Sequence, residues 1–316
     1  MKIPVIGCGR WGSFIAWYLD SIGHEVTLYG RRGSKHMAAF EETRTNGLVT
    51  LKDSIHLGYD IAEAAKADTV VVSVGAQSFR NVAAELAMAG FKGDLVLCMK
   101  GIETGSGKRL SEIAKEYLHD NDVAVWIGPG HVQEFTAGIP NCMVIDGTSD
   151  RVREKMVEAF SSPLIRFYYG YDLIGNEVGA AAKNVIGIAA GVLDGLGLTN
   201  LKGALMARGT REVARLIAAM GGNEQSAYGL CHLGDYQATV FSKFSHNRAY
   251  GEALVSGTPY DELAEGCYTV EALMMLKEKY GVDMPISTAV HNAIYGGACA
   301  REEINGLFMR SLKKEF

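Results

Sequence analysis

Lys183 stands in the longest stretch of apolar and tiny residues in the chain, Gly175-Asn-Glu-Val-Gly-Ala-Ala-Ala-Lys-Asn-Val-Ile-Gly-Ile-Ala-Ala-Gly191. Lysine is among the residues least often buried without a partner, and burial favours its neutral form, so an enclosed lysine is a candidate proton donor or acceptor. If the segment is helical, Gly179, Ala180, Ile186 and Gly187 lie three and four positions from Lys183, with Asn176 a further turn back. Glycine costs a helix stability, so a glycine-lined face beside one charge predicts that something other than protein packs there. The opposing reading is a helix in a crowded interior, its small residues admitting neighbouring helices and its lysine snorkelling outward.

A second group of residues points to phosphate. Gly7-Cys-Gly-Arg-Trp-Gly12 follows a strand-like run directly and opens an apolar, helix-like segment. A glycine-rich chain produces GxGxxG by chance, but here strand, turn, helix and second strand arrive in the order a dinucleotide-binding unit requires. Gly7 permits the tight turn, Gly9 lets the backbone approach a pyrophosphate, and Gly12 allows helix to pack on strand. The second strand ends in Tyr29-Gly30-Arg31-Arg32, where an NAD-preferring site carries Asp or Glu. Two guanidinium groups suit a 2′-phosphate and favour NADPH over NADH, while one arginine stacked on adenine would tolerate either. Lys100 closes another apolar run, and Gly128-Pro-Gly-His131 follows a further one and offers exposed backbone N–H groups.

These residues need elements to hold them. Val/Ile/Leu-rich runs at 3–6, 25–29, 69–74, 95–98, 123–127, 142–145 and 164–168 alternate with helix-length segments, among them 13–22, 78–89 and 108–118. That rhythm predicts an α/β domain of Rossmann type, a parallel sheet covered on both faces, over residues 1–170. From residue 171 to 316 the texture becomes Ala-, Gly- and Leu-rich with helical spacing, which predicts an all-α domain, the one that contains Lys183. Helices are expected at 173–193, 201–220 and 271–280, with shorter ones around 249–255 and 288–295. Residues 230–247 read as irregular. Asn200 is the expected N-cap of the second helix, and Gly221-Gly222 and Gly281 the expected stops.

Composition narrows the class. With 316 residues, two domains are the default, and a net charge of −5 with scattered Lys and Arg disfavours nucleic acid or an anionic membrane as partner. The six cysteines form no CxxC pair and read as buried thiols of a reducing cytosol. The N-terminus enters a strand without a charged-then-apolar leader, and the uncharged run 184–193 is too short to span a bilayer, so a cytoplasmic protein without membrane insertion is expected. No HExxH, GxSxG or Cys/His cluster argues for a metal or for hydrolysis. The apolar second half suggests a homodimer. His232 and His291 read as packed or surface residues.

Taken together, the motifs resemble the NAD(P)-dependent glycerol-3-phosphate dehydrogenases of bacterial type. The resemblance runs in order through Gly7–Gly12, Lys100-Gly-Ile-Glu103, Gly128-Pro129 with Glu134, and Ala181-Ala-Lys-Asn184. It continues through Asp194-Gly-Leu-Gly-Leu198, Ala204-Leu-Met-Ala-Arg-Gly209, Leu233-Gly-Asp235, Asn247-Arg248 and Ala264-Glu-Gly266. It implies reversible hydride transfer between NAD(P)H and C2 of dihydroxyacetone phosphate, giving sn-glycerol 3-phosphate for glycerophospholipid synthesis. Lys183 is similar to the family's acid/base lysine, Lys100 would add a second positive charge near the same oxygen and the cofactor, and Asp235 would orient Lys183. Asn184 and Thr239 would complete that shell, with Gly128, Gly130, Ser245, His246 and Asn247 also at the substrate. Gly7, Gly9, Arg10, Trp11, Gly12, Arg31, Arg32, Lys100, Val132, His246 and Glu265 would contact the cofactor.

Two positions depart from the family pattern. Ser-Arg-Asn-Arg becomes Ser245-His-Asn-Arg248, and the Ser that follows Gly-Pro becomes Gly130. A histidine makes no bidentate guanidinium fork, so the phosphate clamp is in doubt unless backbone N–H groups at 245–247, or Arg248 swung inward, replace it. Two other readings therefore stay open: a reductase of the same plan acting on another small 2-oxo or 2-hydroxy compound, and a non-catalytic NADPH sensor.

Overall fold

A computed structural model describes residues 1–312, 314 and 315. The chain divides into two compact units, one made of Met1–Lys100 and Lys108–Glu177, the other of Gly101–Gly107 and the residues from Val178 onward.

The first unit alternates strand and helix: β1 (Lys2–Ile6), α1 (Arg10–Ser21), β2 (Glu25–Tyr29), α2 (Lys35–Thr43), β3 (His56–Gly58), α3 (Ile61–Ala64), β4 (Thr69–Val72) and α4 (Phe79–Met88). It continues with β5 (Asp94–Leu97), α5 (Leu110–Tyr117), β6 (Val123–Ile127), α6 (Val132–Thr136), β7 (Asn141–Gly147), α7 (Asp150–Phe160) and β8 (Ile165–Tyr169). The eight strands form one sheet in the order β3-β2-β1-β4-β5-β6-β7-β8. Strands β4, β5 and β6 are buried along their whole length, as continuous apolar runs in a sheet covered on both faces must be. The expectation of an all-parallel sheet needs one correction, because β7 runs antiparallel to β6. The five-residue α6 between them rises only about 7.5 Å, too little to carry the chain back along a strand, so β7 starts from the end where β6 finishes. The core beneath the sheet is aromatic: Trp126 meets Phe167 edge-on at 4.9 Å, and the Tyr18 hydroxyl donates to the Phe160 carbonyl at 2.5 Å.

The second unit is helical, built on α8 (Leu173–Gly195), which enters it at Val178, and on α9 (Lys202–Ala219), α10 (His246–Ser256), α11 (Glu265–Tyr280), α12 (Pro285–Tyr295) and α13 (Ala300–Phe308). α8 is mostly apolar and is buried from residue 175 to 193, with Asn176, Glu177, Lys183 and Asn184 enclosed along with its apolar side chains. Its length and composition would also let it cross a membrane, yet most of it is enclosed by protein. α9 is preceded by a 3-10 turn, Thr199–Leu201, so its N-cap is Leu201 and not Asn200. Glu212, wholly buried in α9, accepts from the backbone N–H groups of Ile286 and Ser287 at 2.7 and 2.9 Å, and so binds the first turn of α12 to α9. Residues 230–245 are irregular as expected, with a 3-10 turn at Leu233–Asp235 and a π-helical turn at Gln237–Phe241, but residues 246 and 247, expected in the same stretch, already belong to α10. Of the cysteines, Cys8, Cys98 and Cys231 are buried, but Cys142 and Cys267 are half-buried and Cys299 is exposed, so the reading of all six as buried thiols does not hold.

Candidate active site

In the first unit, the turn between β1 and α1 is shaped by three glycines with different surroundings. Gly7 has φ +115°, and a Cβ there would overlap the Ser73 carbonyl. A Cβ on Gly12 would overlap the Gly7 carbonyl, so the helix can approach the strand only if this position is bare. At Gly9, the N-cap of α1, a Cβ would meet nothing within 4 Å. A small residue facing open space at the start of a twelve-residue helix fits a pyrophosphate laid on backbone N–H groups. Arg10 and Trp11 are half-buried beside it, with the Trp11 ring 5.0 Å from Phe14 and 6.2 Å from Phe135.

Arg31 and Arg32 are both exposed just past β2, and the Arg32 guanidinium lies 5.1 Å from the Tyr59 ring centre. Lys100, three residues beyond β5, donates to the Gly128 carbonyl at 2.6 Å. Gly128 and Gly130 have φ +138° and +147°, values that side chains rarely adopt. At Gly130 a Cβ would also overlap the Phe135 ring, so the phenylalanine occupies the space a serine would need. The Val132 side chain is buried in the core, leaving only its main chain to offer a ligand.

In the second unit, Lys183 is 7% exposed and Asp235 1%, and their Nζ and Oδ2 atoms lie 2.9 Å apart. Lys183 Nζ also donates to Thr239 Oγ1 at 2.6 Å. The lysine therefore does not snorkel; its charge is paired inside the protein, which is what lets it stay buried. Asn184, the next residue, accepts from Asn247 Nδ2 at 3.1 Å, while Asn247 Oδ1 accepts from the Gly266 N–H at 2.9 Å. Asn247 thus ties α8, α10 and α11 together.

The glycines around Lys183 do not leave room for a ligand, contrary to expectation. Gly179, Gly187, Gly191 and Gly195 recur at every fourth position with Lys183 in the same row, and each is covered by protein. A Cβ at Gly179 would lie 3.1 Å from His232 Cβ, and one at Gly187 2.7 Å from Thr239 Cγ2. One at Gly191 would overlap the Arg248 carbonyl, and one at Gly195 would press on Val255. The bare row is a seat for residues 232–255, the segment that brings Asp235 and Thr239 to Lys183 and Asn247 to Asn184.

Sequence reading missed what clamps this segment down. Asp194, near the end of α8, accepts from Lys202 Nζ at 2.5 Å and Arg248 Nε at 2.6 Å. Burial raises the Asp194 pKa, but hydrogen bonds from Lys202, Arg248 and Thr199 outweigh it and hold the carboxyl below its usual range. Lys202 Nζ also donates to the Val240 carbonyl at 3.0 Å, inside the π-helical turn. His232 is packed, as expected, but it is more than filler: it is fully buried with polar partners on both ring nitrogens.

Comparison with known proteins agrees in both units. The family model described as NAD-dependent glycerol-3-phosphate dehydrogenase N-terminus matches residues 2–152, and its C-terminal counterpart matches residues 172–305. The chain belongs to this family. It is 36% identical over 332 residues to glycerol-3-phosphate dehydrogenase (NAD(P)+) of Prosthecochloris aestuarii, with all of both chains covered. It is 35% identical over 331 residues to that of Chlorobium phaeobacteroides, covering all of this chain and 99% of the relative. The crystal structure of glycerol-3-phosphate dehydrogenase from Coxiella burnetii is similar at a TM-score of 0.90 and 25% identity, over 98% of this chain and 99% of that one.

In this member of the glycerol-3-phosphate dehydrogenase family the altered Ser-His-Asn-Arg motif forms the start of α10. Ser245 is the N-cap, its hydroxyl accepting from the Arg248 N–H at 3.3 Å, and His246 and Asn247 are the first helical residues. His246 Nδ1 lies 2.8 Å from the Tyr260 hydroxyl. Arg248 does not swing inward: besides Asp194 it holds Glu252, with Nη2 at 2.7 Å from Oε1. Glu265, the first residue of α11, is half-buried.

Proposed function

We propose that this chain reduces dihydroxyacetone phosphate to sn-glycerol 3-phosphate, reversibly, with NADPH preferred to NADH. The observation that carries the reading is the buried Lys183, paired with Asp235 and Thr239 in a chain of this family. Family membership favours this activity over reduction of another 2-oxo compound and over a non-catalytic sensor.

The residues take roles their chemistry suits. When bound, the dinucleotide supplies the hydride that reaches C2 of the ketone. Lys183 gives a proton to the carbonyl oxygen and recovers it in the reverse direction. Asp235 and Thr239 hold the ammonium in one place, and Asn184 borders it. Lys100 is assigned to the negative charge that develops on the substrate oxygen, and Gly128 and Gly130 to its backbone contacts. Ser245, His246 and Asn247 take the phosphate: N–H groups in the first turn of an eleven-residue helix attract an anion, and the imidazole adds charge in its protonated form. Gly7, Gly9, Arg10, Trp11, Gly12, Lys100, Val132 through its main chain, His246 and Glu265 hold the cofactor, with Arg31 and Arg32 on the 2′-phosphate. Residues 1–170 thus act as the dinucleotide-binding domain and residues 171–316 as the substrate domain. The enzyme works as a cytoplasmic homodimer and feeds glycerophospholipid synthesis.

The test is dihydroxyacetone phosphate reduction by the purified chain, with NADPH and NADH compared side by side. Turnover with the lower KM for NADPH is expected; no turnover with either nucleotide would overturn the reading.

A further inference from the structure

His232 has none of the roles assigned above, yet it joins the two backbone segments that carry Lys183 and Asp235. Its imidazole is 0% exposed, with Nδ1 2.8 Å from the Gly179 carbonyl oxygen and Nε2 2.7 Å from the Tyr236 hydroxyl. A carbonyl oxygen only accepts, so Nδ1 carries the hydrogen and Nε2 accepts from Tyr236. Burial, with the charge of Lys183 adding to it, pushes the imidazole pKa down to about 4 against the opposing effects of the Gly179 carbonyl and Asp235, which keeps the ring neutral and in this tautomer at neutral pH. Gly179 lies one turn before Lys183 on α8, and Tyr236 directly follows Asp235. The missing Cβ at Gly179 is what admits the His232 side chain.

The segment held in this way has little regular structure of its own. Asp235 ends a three-residue 3-10 turn, and Thr239 sits in a five-residue π-helical turn, short pieces that do not join into a continuous helix. We infer that His232 is a positioning residue, which through Gly179 and Tyr236 sets the Asp235 carboxylate and the Thr239 hydroxyl on the Lys183 ammonium. The inference rests on the assignment of Lys183 as proton donor and Asp235 as its partner.

A double-mutant cycle on kcat for dihydroxyacetone phosphate reduction at saturating NADPH tests it. His232→Leu is expected to lower kcat roughly tenfold or more with the KM for NADPH unchanged, and to add less than about twofold once Asp235→Asn is present. His232→Asn, which keeps an N–H near the Nδ1 position, should recover most of the loss, and Tyr236→Phe should lower kcat in the same direction by less. If His232→Leu does not fold, Tyr236→Phe runs the same cycle. Full activity of these variants would overturn the inference, as would an additive cycle on a kcat already lowered by Asp235→Asn. Wild-type kcat in Asp235→Asn alone would instead overturn the assignment of Asp235, and the inference with it.

Discussion

The turn at Gly7–Gly12 and the glycine row of α8 use the same residue for opposite ends. Gly9 faces space that no protein atom fills, whereas Gly179, Gly187, Gly191 and Gly195 each lie under another segment of the chain. In the first unit the bare position borders open space, where we place the cofactor; in the second, bare positions let another segment of the chain pack directly on α8, so that Asp235 and Thr239 reach Lys183. Composition alone does not separate these cases. What a Cβ would touch does.

The comparison breaks most readily at Gly191, where a side chain would drive into the Arg248 carbonyl and α10 would have to lift off α8. Gly191→Val should cost roughly 3 kcal/mol or more of stability, read by chemical denaturation, because backbone is what must move. If the variant kept wild-type stability, the row would not be a packed seat.

His232 sharpens the contrast by pH. Its folded pKa of about 4 lies below the ordinary 6.5, so between those values the unfolded chain holds a proton that the folded chain refuses. The stability tied to this group is fully present above pH 6.5 and declines as pH falls towards 4, by roughly 3 kcal/mol over the whole interval. Replacing His232 with Asn should flatten the fall in stability between pH 7 and pH 5 relative to wild type. An unchanged pH slope would mean that the imidazole is not buried neutral.

Gly9 should behave in the opposite way to Gly191. The Cβ of Gly9→Ala meets nothing within 4 Å, so stability should fall only by the roughly 1 kcal/mol of a poorer N-cap while the Kd for NADPH rises about tenfold to a hundredfold. A larger loss of stability with unchanged NADPH affinity would reverse the assignment.

Most of this fold could be read from the sequence because its signals are local. Continuous runs such as Val123–Ile127 announce buried strands, and GxGxxG sits between its strand and helix within one unit of chain. The three-residue β3 was too short to show a pattern, and the reversal at β7 depends on how far the short α6 can carry the chain. Lys183 stood out by its setting, but its partners lie far along the sequence in irregular turns, and only resemblance to the family singled out Asp235 and Thr239. The glycine row was misread for the same reason: periodicity shows that a face is bare, not whether ligand or protein covers it. The compensation at position 130 was hidden too, since the Phe135 ring fills the gap only once α6 has folded back. Asp194, Lys202 and Arg248 form one cluster from three helices, and no single segment reveals it.

The most direct test of the account is Lys183→Met, assayed for dihydroxyacetone phosphate reduction alongside NADPH binding. Loss of proton delivery should lower kcat by about a hundredfold to ten-thousandfold. NADPH affinity should stay at the wild-type value, since Lys183 is not among the residues assigned to the cofactor. Retention of most of the activity in Lys183→Met would contradict the account at its centre.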